Sequence, residues 1–328
     1  MQINAELVRK NIEEASQVII VAHRNLDLDA LGSSLGLYYL CKTIGKDTCL
    51  LIDDITHEDG VSKSLKEIKN QKINVKIKKW VDIKGKVDDK TLLLIVDTQI
   101  PSLIQNEEVL NIKNKIIIDH HIDGANEKIP TIYEYIGSHQ SSSVEIIVEV
   151  LKTLDIYIHP YVASIMLAGI FIDTNGFIRK TSHKTHESAA YLYECNANLN
   201  EVQYLLKQDI NKYNNMQKII SEAVIIKNHF IIALGHEDQI YDKEDLAKIS
   251  DTMLLFKNIE ASFTIGKISE DKIGISARSF AKIDVQKIMK KLKGGGHSTD
   301  AATQLSGETL ATTFQKVKNI IEELEGDF

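Results

Sequence analysis

The sequence contains few cysteines and no long apolar run. Its 328 residues include three cysteines, Cys41, Cys49 and Cys195, whose spacing fits neither a disulfide framework nor a zinc site. Free thiols in a reducing compartment are therefore predicted. Because no stretch of about eighteen apolar residues occurs, we predict no transmembrane helix in this chain. Residues 1–17 are polar and lack the apolar core of a signal peptide, so we expect a cytoplasmic location, although an upstream membrane anchor in a longer protein is left open.

An excess of basic residues is also missing. The chain has 39 Lys and Arg residues against 46 Asp and Glu residues, which gives a formal net charge of −7. Proteins that bind long nucleic acids through the phosphates usually carry a basic surface, so we predict no long nucleic acid as a partner. A small anionic substrate is compatible with this charge, because bound metal ions can supply positive charge locally.

The first part of the chain alternates strand and helix patterns. Such alternation predicts an α/β domain, in which a parallel sheet has helices on both faces. The predicted strands span 18–23, 47–53, 91–97 and 115–120, and the predicted helices span 30–44, 141–154 and 160–172. Ser142 and Glu145 are predicted to form a capping box at the start of the helix over 141–154. From residue 223 onward, β-hairpin patterns and a last helix over 307–325 predict a smaller α+β domain. Because the chain has only three prolines, we predict domains at 1–196 and 223–328 joined by a helical connector at 197–222.

Four short clusters of carboxylates and imidazoles follow apolar runs. An apolar run that ends in a carboxylate is usually a strand that delivers the side chain to the carboxyl edge of a sheet, where open sheets bind ligands. Taken singly, such an Asp is more often a helix cap or a turn residue, but the four clusters together indicate a common site. The clusters are His23-Asp27-Asp29 after VIIVA, Asp97 after LLLIV, Asp119-His120-His121 after III, and Asp173 after MLAGIFI.

The residue types in these clusters indicate a binuclear metal site. Mixed imidazole and carboxylate ligands suit Mn²⁺, and suit Mg²⁺ or Zn²⁺ less well. On an extended segment Asp27 and Asp29 would face opposite ways, so we expect a tight turn from which both reach adjacent ions. Asp97 is predicted to be the shared ligand, with one oxygen on each ion. Two ions about 3.5–4 Å apart stabilise the attacking and leaving oxygens of phosphoryl transfer. The predicted ligands are His23, Asp27, Asp29, Asp97, His120 and Asp173.

At these residues the chain resembles the DHH phosphoesterase superfamily, which is named for an Asp-His-His triplet. The four clusters match its four motifs in order, and GISARS and GGGHSTDAATQL resemble its DHH-associated domain. The resemblance implies one Mn²⁺ on His23, Asp27 and Asp97, and a second on Asp29, Asp97, His120 and Asp173. It implies Asp97 and His121 as catalytic residues, with His121 touching the scissile phosphate or orienting the ligands. It also implies a set of substrate-binding residues, which are His121, Ser142, Lys184, Arg278, Ser279, Gly294, Gly295, Gly296 and His297.

Within the superfamily, the chain resembles the catalytic module of GdpP-type cyclic-di-AMP phosphodiesterases. The similar segments include DLDALG at 27–32, VDT at 96–98 and ISARS at 275–279. The resemblance implies an Mn²⁺-dependent phosphodiesterase that hydrolyses cyclic di-AMP to pApA by in-line attack of hydroxide, with a further step to AMP left open. The implied partner is a cyclic dinucleotide or a short linear nucleotide, and a homodimer is compatible with the sequence.

Several positions depart from the pattern of that branch and leave its substrate open. These positions are Leu26, Lys184, His186, Met216 and Lys293. The alternatives within enzymes are a nano-RNA oligoribonuclease with pAp phosphatase activity and a manganese pyrophosphatase. The alternative from another class is a non-catalytic nucleotide sensor, which the complete set of predicted metal ligands disfavours.

Overall fold

The structure is a computed structural model that describes residues 2–53, 57–121, 128–280 and 282–324. It divides into two compact units, Met1–Lys207 and Gln208–Phe328. This division falls inside the segment 197–222 that we predicted as a connector. None of the described helices is long and apolar enough to cross a membrane.

The first unit is built on a six-stranded parallel sheet. Its strands are β1 (Val18–Val21), β2 (Thr48–Leu51), β3 (Ile77–Lys78), β4 (Leu92–Val96), β5 (Asn114–Asp119) and β6 (Tyr133–Ile136). The strand order is β3-β2-β1-β4-β5-β6, and every neighbouring pair is parallel. The chain therefore winds outward in opposite directions from β1 and β4. At such a reversal a crevice opens at the carboxyl ends of the two strands, which is where open sheets bind ligands.

Helices and short helical turns cover both faces of this sheet. The helices are α1 (Ala5–Glu14), α2 (Leu28–Thr43), α3 (Asp59–Asn70), α4 (Trp80–Ile83), α5 (Ser143–Thr153), α6 (Pro160–Asp173), α7 (His183–Glu194) and α8 (Leu199–Leu205). Because strand side chains alternate, Ile20 and Leu94 pack in the core formed with α2, α5 and α6. Ile19 and Leu93 pack on the other face with Trp80, where α4 and three short 3₁₀ segments replace long helices.

The second unit contains a six-stranded mixed sheet with helices on both faces. Its strands are β7 (Val224–Ile226), β8 (Phe230–Leu234), β9 (Ala261–Ser269), β10 (Lys272–Ser279), β11 (Gly295–Gly296) and β12 (Asp300–Ser306), in the order β11-β12-β10-β9-β8-β7. Only the β8–β9 pair is parallel among the described pairs of this sheet. Its helices are α9 (Ile210–Ser221), α10 (Lys243–Met253), α11 (Val285–Lys291) and α12 (Leu310–Glu322). The predicted α/β class with a smaller second domain is therefore confirmed.

Two local predictions about the site were wrong. Asp173 does not follow a strand, because the run MLAGIFI lies within α6 and Asp173 is the last residue of that helix. The helix predicted over 160–172 is the correct interpretation of this run. Asp27 and Asp29 do not lie on a tight turn either, since Asp27 caps α2 and Asp29 lies in its first helical turn.

Candidate metal centre

Neighbouring strands deliver the first ligands to the crevice at the carboxyl edge of the parallel sheet. His23 lies just beyond β1, and Asp97 directly follows β4, the strand paired with β1. Asp119 ends β5 and is followed by His120 and His121. Asp97 has a φ of +62°, in the left-handed region that few residues other than glycine adopt.

The helix α2 supplies two further carboxylates at its N-terminus. The Asp27 carboxylate accepts the backbone N–H of Ala30 at 2.8 Å, and Asp29 is almost fully buried. Helix α6 approaches this turn so closely that a Cβ at Gly169 would lie 2.9 Å from Asp29 Cα. A glycine is therefore needed there for α6 to bring its last residue, Asp173, to the cluster.

The side chains form two groups of potential ligands that share one residue. In the first group, His23 Nε2 lies 3.4 Å from Asp27 Oδ2 and 3.3 Å from Asp97 Oδ2. In the second, His120 Nε2 lies 3.9 Å from Asp29 Oδ2, 3.5 Å from Asp97 Oδ1 and 3.4 Å from Asp173 Oδ2. The ligand atoms of His23, Asp27 and Asp97 all lie within 4.8 Å of one another, as do those of Asp29, His120 and Asp173. Asp97 thus turns one oxygen toward each group.

The carboxylates of the cluster are crowded and poorly solvated. Burial raises the pKa of Asp29 well above its ordinary value, and the charges of Asp97 and Asp173 raise it further. Burial also raises the pKa of Asp173, to which Asp27 and Asp97 add repulsion. Burial opposes the ionisation of Asp27 as well, but its hydrogen bond and charge attraction to His23, together with the N–H of Ala30, outweigh burial and lower the pKa of Asp27.

The imidazole rings of the two groups differ in their protonation. Burial disfavours the charged form of His23, yet hydrogen bonds with Asp27 and Asp97 raise the pKa of His23 to about 12. A cation bound by His23, Asp27 and Asp97 would displace the proton from the His23 ring. The His23 Nδ1 lies 2.6 Å from the carbonyl oxygen of Arg24, a contact that fixes Nε2 as the ring nitrogen facing the carboxylates. Burial lowers the pKa of His120, so its ring is neutral and ready to coordinate.

His121 is the exposed member of the cluster, with 57% of its side chain accessible. Its Nδ1 lies 2.7 Å from Asp119 Oδ1 and 3.8 Å from Asp97 Oδ1. Partial loss of solvent around the ring disfavours its charge, but the hydrogen bond with Asp119 and the charges of Asp97 and Asp119 together outweigh this and raise the pKa of His121 to about 9. Because Nδ1 donates to Asp119, the protonated ring presents its Nε2–H as a second donor.

The donor chemistry of this cluster fits two divalent cations. Four carboxylates and two imidazoles converge, and cations placed between them would relieve the repulsion among the buried carboxylates. The mixture of oxygen and nitrogen donors suits Mn²⁺. The structure therefore brings together all six residues predicted as metal ligands, and it places His121 beside them.

Two predicted substrate residues of the first unit have other partners. Ser142 is fully buried, and its hydroxyl accepts the backbone N–H of Glu145 as the N-cap of α5. Lys184 lies on α7, with its Nζ 3.5 Å from Glu149 Oε1. The placement of Ser142 gives it a structural role, and the substrate roles of both residues stay predictions.

In the second unit, Arg278 and Ser279 are engaged within the protein. Arg278 Nε lies 3.2 Å from Asp251 Oδ1 and 3.1 Å from Asp300 Oδ1, as ion pairs rather than aligned hydrogen bonds. Burial lowers the pKa of Arg278, although Asp300 opposes this effect. Ser279 is buried and its hydroxyl donates to the carbonyl oxygen of Ile283 at 2.6 Å. A substrate role for either residue stays a prediction.

The predicted glycine loop forms a hairpin with β12. The backbone N–H of Gly294 donates to the carbonyl oxygen of Met289, and the backbone N–H of His297 donates to the carbonyl oxygen of Asp300 at 2.6 Å. Gly296 has a φ of +131°, and a Cβ there would lie 2.4 Å from the backbone carbonyl oxygen of Asp300. The surroundings of Gly295 are open, and His297 is exposed. Gly296 is exposed as well, so a ligand can approach the loop at residues 295–297, and Gly295 leaves the most room.

Sequence reasoning missed two residues near the cluster, Ser143 and Gln99, and the role of a third, Asp119. Ser143 donates its hydroxyl to Asp97 Oδ1 at 2.9 Å, and Gln99 donates its amide to Asp119 Oδ2 at 3.2 Å. Asp119 was recognised as part of the triplet but was given no role, whereas it orients His121. The only sequence signal for Ser143 is its place directly after a predicted helix cap, which says nothing of a distant Asp97.

Comparison with known proteins agrees with this geometry. Residues 17–170 match the DHH family, N-terminal domain, and residues 216–323 match the DHHA1 domain. The chain is 32% identical over 324 residues to "Cyclic-di-AMP phosphodiesterase GdpP" of Bacillus subtilis, which covers 96% of this chain and 49% of that protein. It is 36% identical over 331 residues to a "Membrane protein-large ribosomal subunit bL9 fusion protein" of Aster yellows witches'-broom phytoplasma, covering 98% of this chain and 38% of that protein.

A solved structure shares the fold over nearly the whole chain. The crystal structure of an exopolyphosphatase-related protein from Bacteroides fragilis has a TM-score of 0.75 and 19% sequence identity, and the match covers 97% of both chains. By contrast, the chain spans only 49% and 38% of the length of the two sequence relatives. The family matches, the sequence relatives and the His/Asp cluster agree, and the predicted resemblance is confirmed. This chain belongs to the DHH/DHHA1 phosphoesterase superfamily.

Proposed function

We propose that this protein is an Mn²⁺-dependent phosphodiesterase that opens cyclic di-AMP to linear pApA. The observation that carries the proposal is the position of Asp97, whose two oxygens face two separate groups of ligands. That arrangement is what a binuclear phosphoesterase requires, because one carboxylate can hold two ions at the spacing of an in-line displacement. The choice of cyclic di-AMP rests on GdpP-named relatives that are 32% and 33% identical over 96% of this chain.

The residues of the cluster have two roles in the proposed hydrolysis, which are metal binding and contact with the phosphate. Two bound divalent ions would supply charge neutralisation at the phosphate and an acidified water molecule. His23 and Asp27 would hold one ion, and Asp29, His120 and Asp173 would hold the other. Buried Asp119 holds the His121 ring so that its Nε2–H can donate to an oxygen of the scissile phosphate. The positive charge of the His121 ring at neutral pH attracts the negatively charged phosphate.

The overall reaction is a hydrolysis and balances without another reactant. Water adds its oxygen to phosphorus, the bond from phosphorus to the 3′-oxygen breaks, and a proton ends on the leaving 3′-oxygen. Cyclic di-AMP then becomes pApA, which carries a 5′-phosphate and a free 3′-hydroxyl. A second hydrolysis of the same kind would convert pApA to two molecules of AMP.

In the second unit, we propose that Gly295 and His297 contribute to nucleotide binding. The open surroundings of Gly295 allow a phosphate to approach the backbone, and the exposed His297 offers a ring donor. Arg278 is a less accessible candidate, because two carboxylates already surround its Nε. The proposed partner is a cyclic dinucleotide or a short linear nucleotide, and the cytoplasmic location and a homodimer are further parts of the proposal.

Product analysis with a panel of substrates tests the proposal. Purified protein with Mn²⁺ would be incubated separately with cyclic di-AMP, cyclic di-GMP, pApA, pAp and pyrophosphate, and the products separated by chromatography. We expect cyclic di-AMP to be consumed with pApA as the first product, and we expect chelation of Mn²⁺ to stop turnover. Fast hydrolysis of pAp and pApA with intact cyclic di-AMP would instead identify an oligoribonuclease with pAp phosphatase activity, and rapid release of phosphate from pyrophosphate would identify a pyrophosphatase.

A further inference from the structure

The first turn of α5 is bonded directly to two of the proposed metal ligands. The backbone N–H of Ser143 donates to Asp29 Oδ2 at 2.8 Å, and that of Val144 donates to Asp29 Oδ1 at 2.9 Å. The Ser143 hydroxyl donates to Asp97 Oδ1 at 2.9 Å. These N–H groups belong to the unpaired donors at a helix N-terminus, which interact favourably with a carboxylate.

The hydroxyl of Ser143 fixes how the shared carboxylate is turned. Ser143 is fully buried, and it contacts the Asp97 oxygen that faces His120 rather than the one that faces His23. A carboxylate attached through one rotatable bond can turn about that bond. The hydrogen bond from Ser143 holds Oδ1 toward the second ligand group and leaves Oδ2 directed at the first.

Ser143 itself is held in place by a buried polar network around Glu145. The Glu145 Oε2 accepts the Ser141 hydroxyl at 2.6 Å, the Ser141 N–H at 3.2 Å and the Thr185 hydroxyl at 2.7 Å. Thr185 lies on α7, so this carboxylate ties the start of α5 to a second helix. A satisfied buried network of this kind makes the position of a neighbouring side chain rigid. The Ser143 donors are therefore preorganised before any cation binds.

We propose that Ser143 is a positioning residue that sets the cation affinity of the group formed by Asp29, Asp97, His120 and Asp173. The other group, His23, Asp27 and Asp97, depends on Ser143 much less. The asymmetry follows from the contacts, because Ser143 bonds to Asp29 and to the Asp97 oxygen on the His120 side only. This inference rests on the proposed function in assuming that both groups bind Mn²⁺.

Calorimetric titration of the whole chain with Mn²⁺ tests the inference without relying on turnover. Ser143→Ala keeps the backbone N–H and the Cβ, so only the hydroxyl is lost. We expect one of the two binding events to lose affinity by about 10-fold to 100-fold, the range measured when a group that orients a metal ligand is removed, and the other to change much less. Ser143→Thr restores a hydroxyl and should recover much of the affinity. Ser64→Ala is the matched control, because Ser64 is buried in α3 and its hydroxyl bonds to Gly60.

Double variants show which ligand group loses Mn²⁺ affinity when Ser143→Ala is introduced. With Asp27→Asn, which impairs the first group, adding Ser143→Ala should weaken the remaining Mn²⁺ binding at least about 10-fold. With Asp173→Asn, which impairs the second group, the same addition should change Mn²⁺ affinity by less than about threefold, since Ser143 contacts no ligand that is unique to the first group. Equal losses in both backgrounds, or no loss in either, would overturn the inference.

The controls separate this inference from the proposed function. If the native chain binds two Mn²⁺ ions and Ser143→Ala binds them with unchanged affinities, the inference fails while the proposed function stands. If the native chain binds fewer than two ions, the metal basis of the proposed function fails first. In chelator, the melting temperatures of Ser143→Ala and Ser64→Ala should agree within a few degrees. A much lower melting temperature for Ser143→Ala, with both ions weakened alike, would give Ser143 a general structural role and overturn the inference.

Discussion

Replacement of Asp173 by Asn should stabilise the metal-free protein while weakening its response to Mn²⁺. The Asp173 carboxylate lies at the end of α6, with Oδ2 3.4 Å from a His120 ring that is neutral because burial lowers its pKa. Burial raises the pKa of Asp173, and repulsion from Asp27 and Asp97 raises it further. Asparagine keeps the shape and removes the charge, so the metal-free cluster loses a source of repulsion.

The size of the effect follows from simple electrostatics. Two unit charges about 6 Å apart repel by about 3 kcal/mol at an effective dielectric constant of about 20. Attraction from His121 and Lys180 offsets part of this repulsion, so we expect a net gain of about 2 kcal/mol in the free energy of unfolding. For a unit of this size, that gain corresponds to a rise of about 4–8 °C in melting temperature. Saturation of one site at about 100 times its dissociation constant stabilises the native protein by about 2.7 kcal/mol, a gain that the variant should lose at the second group.

Thermal unfolding with and without Mn²⁺ measures both effects. In chelator at pH 7 the variant should melt above the native protein, and with saturating Mn²⁺ the order should reverse. The pH dependence has a definite sign. Because the pKa of Asp173 is raised on folding, ionisation of Asp173 destabilises the folded protein at high pH, and this penalty disappears as the pH falls toward the ordinary value of 3.8. A variant that melts below the native protein in chelator at pH 7, or that gains as much stability from Mn²⁺, would refute this reasoning.

Three other substitutions or probes give independent tests. Asp97→Ala removes the ligand shared by the two groups and should abolish turnover while circular dichroism stays native; near-normal activity with bound Mn²⁺ would contradict the assignment. Arg278→Ala leaves two partly buried carboxylates without their guanidinium neighbour and should lower the stability of the second unit by about 3 kcal/mol in denaturant unfolding. If stability is unchanged and only the Michaelis constant rises, Arg278 serves the substrate instead. Burial raises the pKa of Cys49 to about 11, so its thiolate fraction at pH 8, and with it alkylation by iodoacetamide, should be about 100-fold lower than for an unfolded chain; equal rates would contradict this.

Strand patterns and their endings were sufficient to predict the four central strands of the parallel sheet, whereas the edge strands β3 and β6 were not predicted. The runs VIIV and LLLIV are buried along their whole length because a parallel sheet covered on both faces has no solvated side. A residue that follows such a strand must lie at the carboxyl edge, and this is why His23 and Asp97 could be placed together from the sequence. The same argument failed for Asp173, since an apolar run gives no period that separates a buried strand from a buried helix.

Helix termini could be predicted only in part. The Ser142 cap of α5 was expected, and its hydroxyl does accept the N–H of Glu145. The Glu145 carboxylate, however, bonds to Ser141 and to Thr185 on α7 rather than to the cap, so the predicted capping box is only half formed. That choice depends on a neighbouring helix, which local sequence rules do not include.

The sequence by itself determined the residue types that converge and the family to which they belong, because donor chemistry and strand endings are local properties. Only the tertiary structure decided how the metal-ligand side chains are oriented and which residues hydrogen-bond to them. It turned the two oxygens of Asp97 to opposite sides, and it brought Ser143 within 2.9 Å of Asp97 across 46 positions of the chain. Hydrogen bonds of this kind depend on the packing of α5, α2 and α6 to within fractions of an ångström, and contacts between distant segments leave no periodic trace in the sequence.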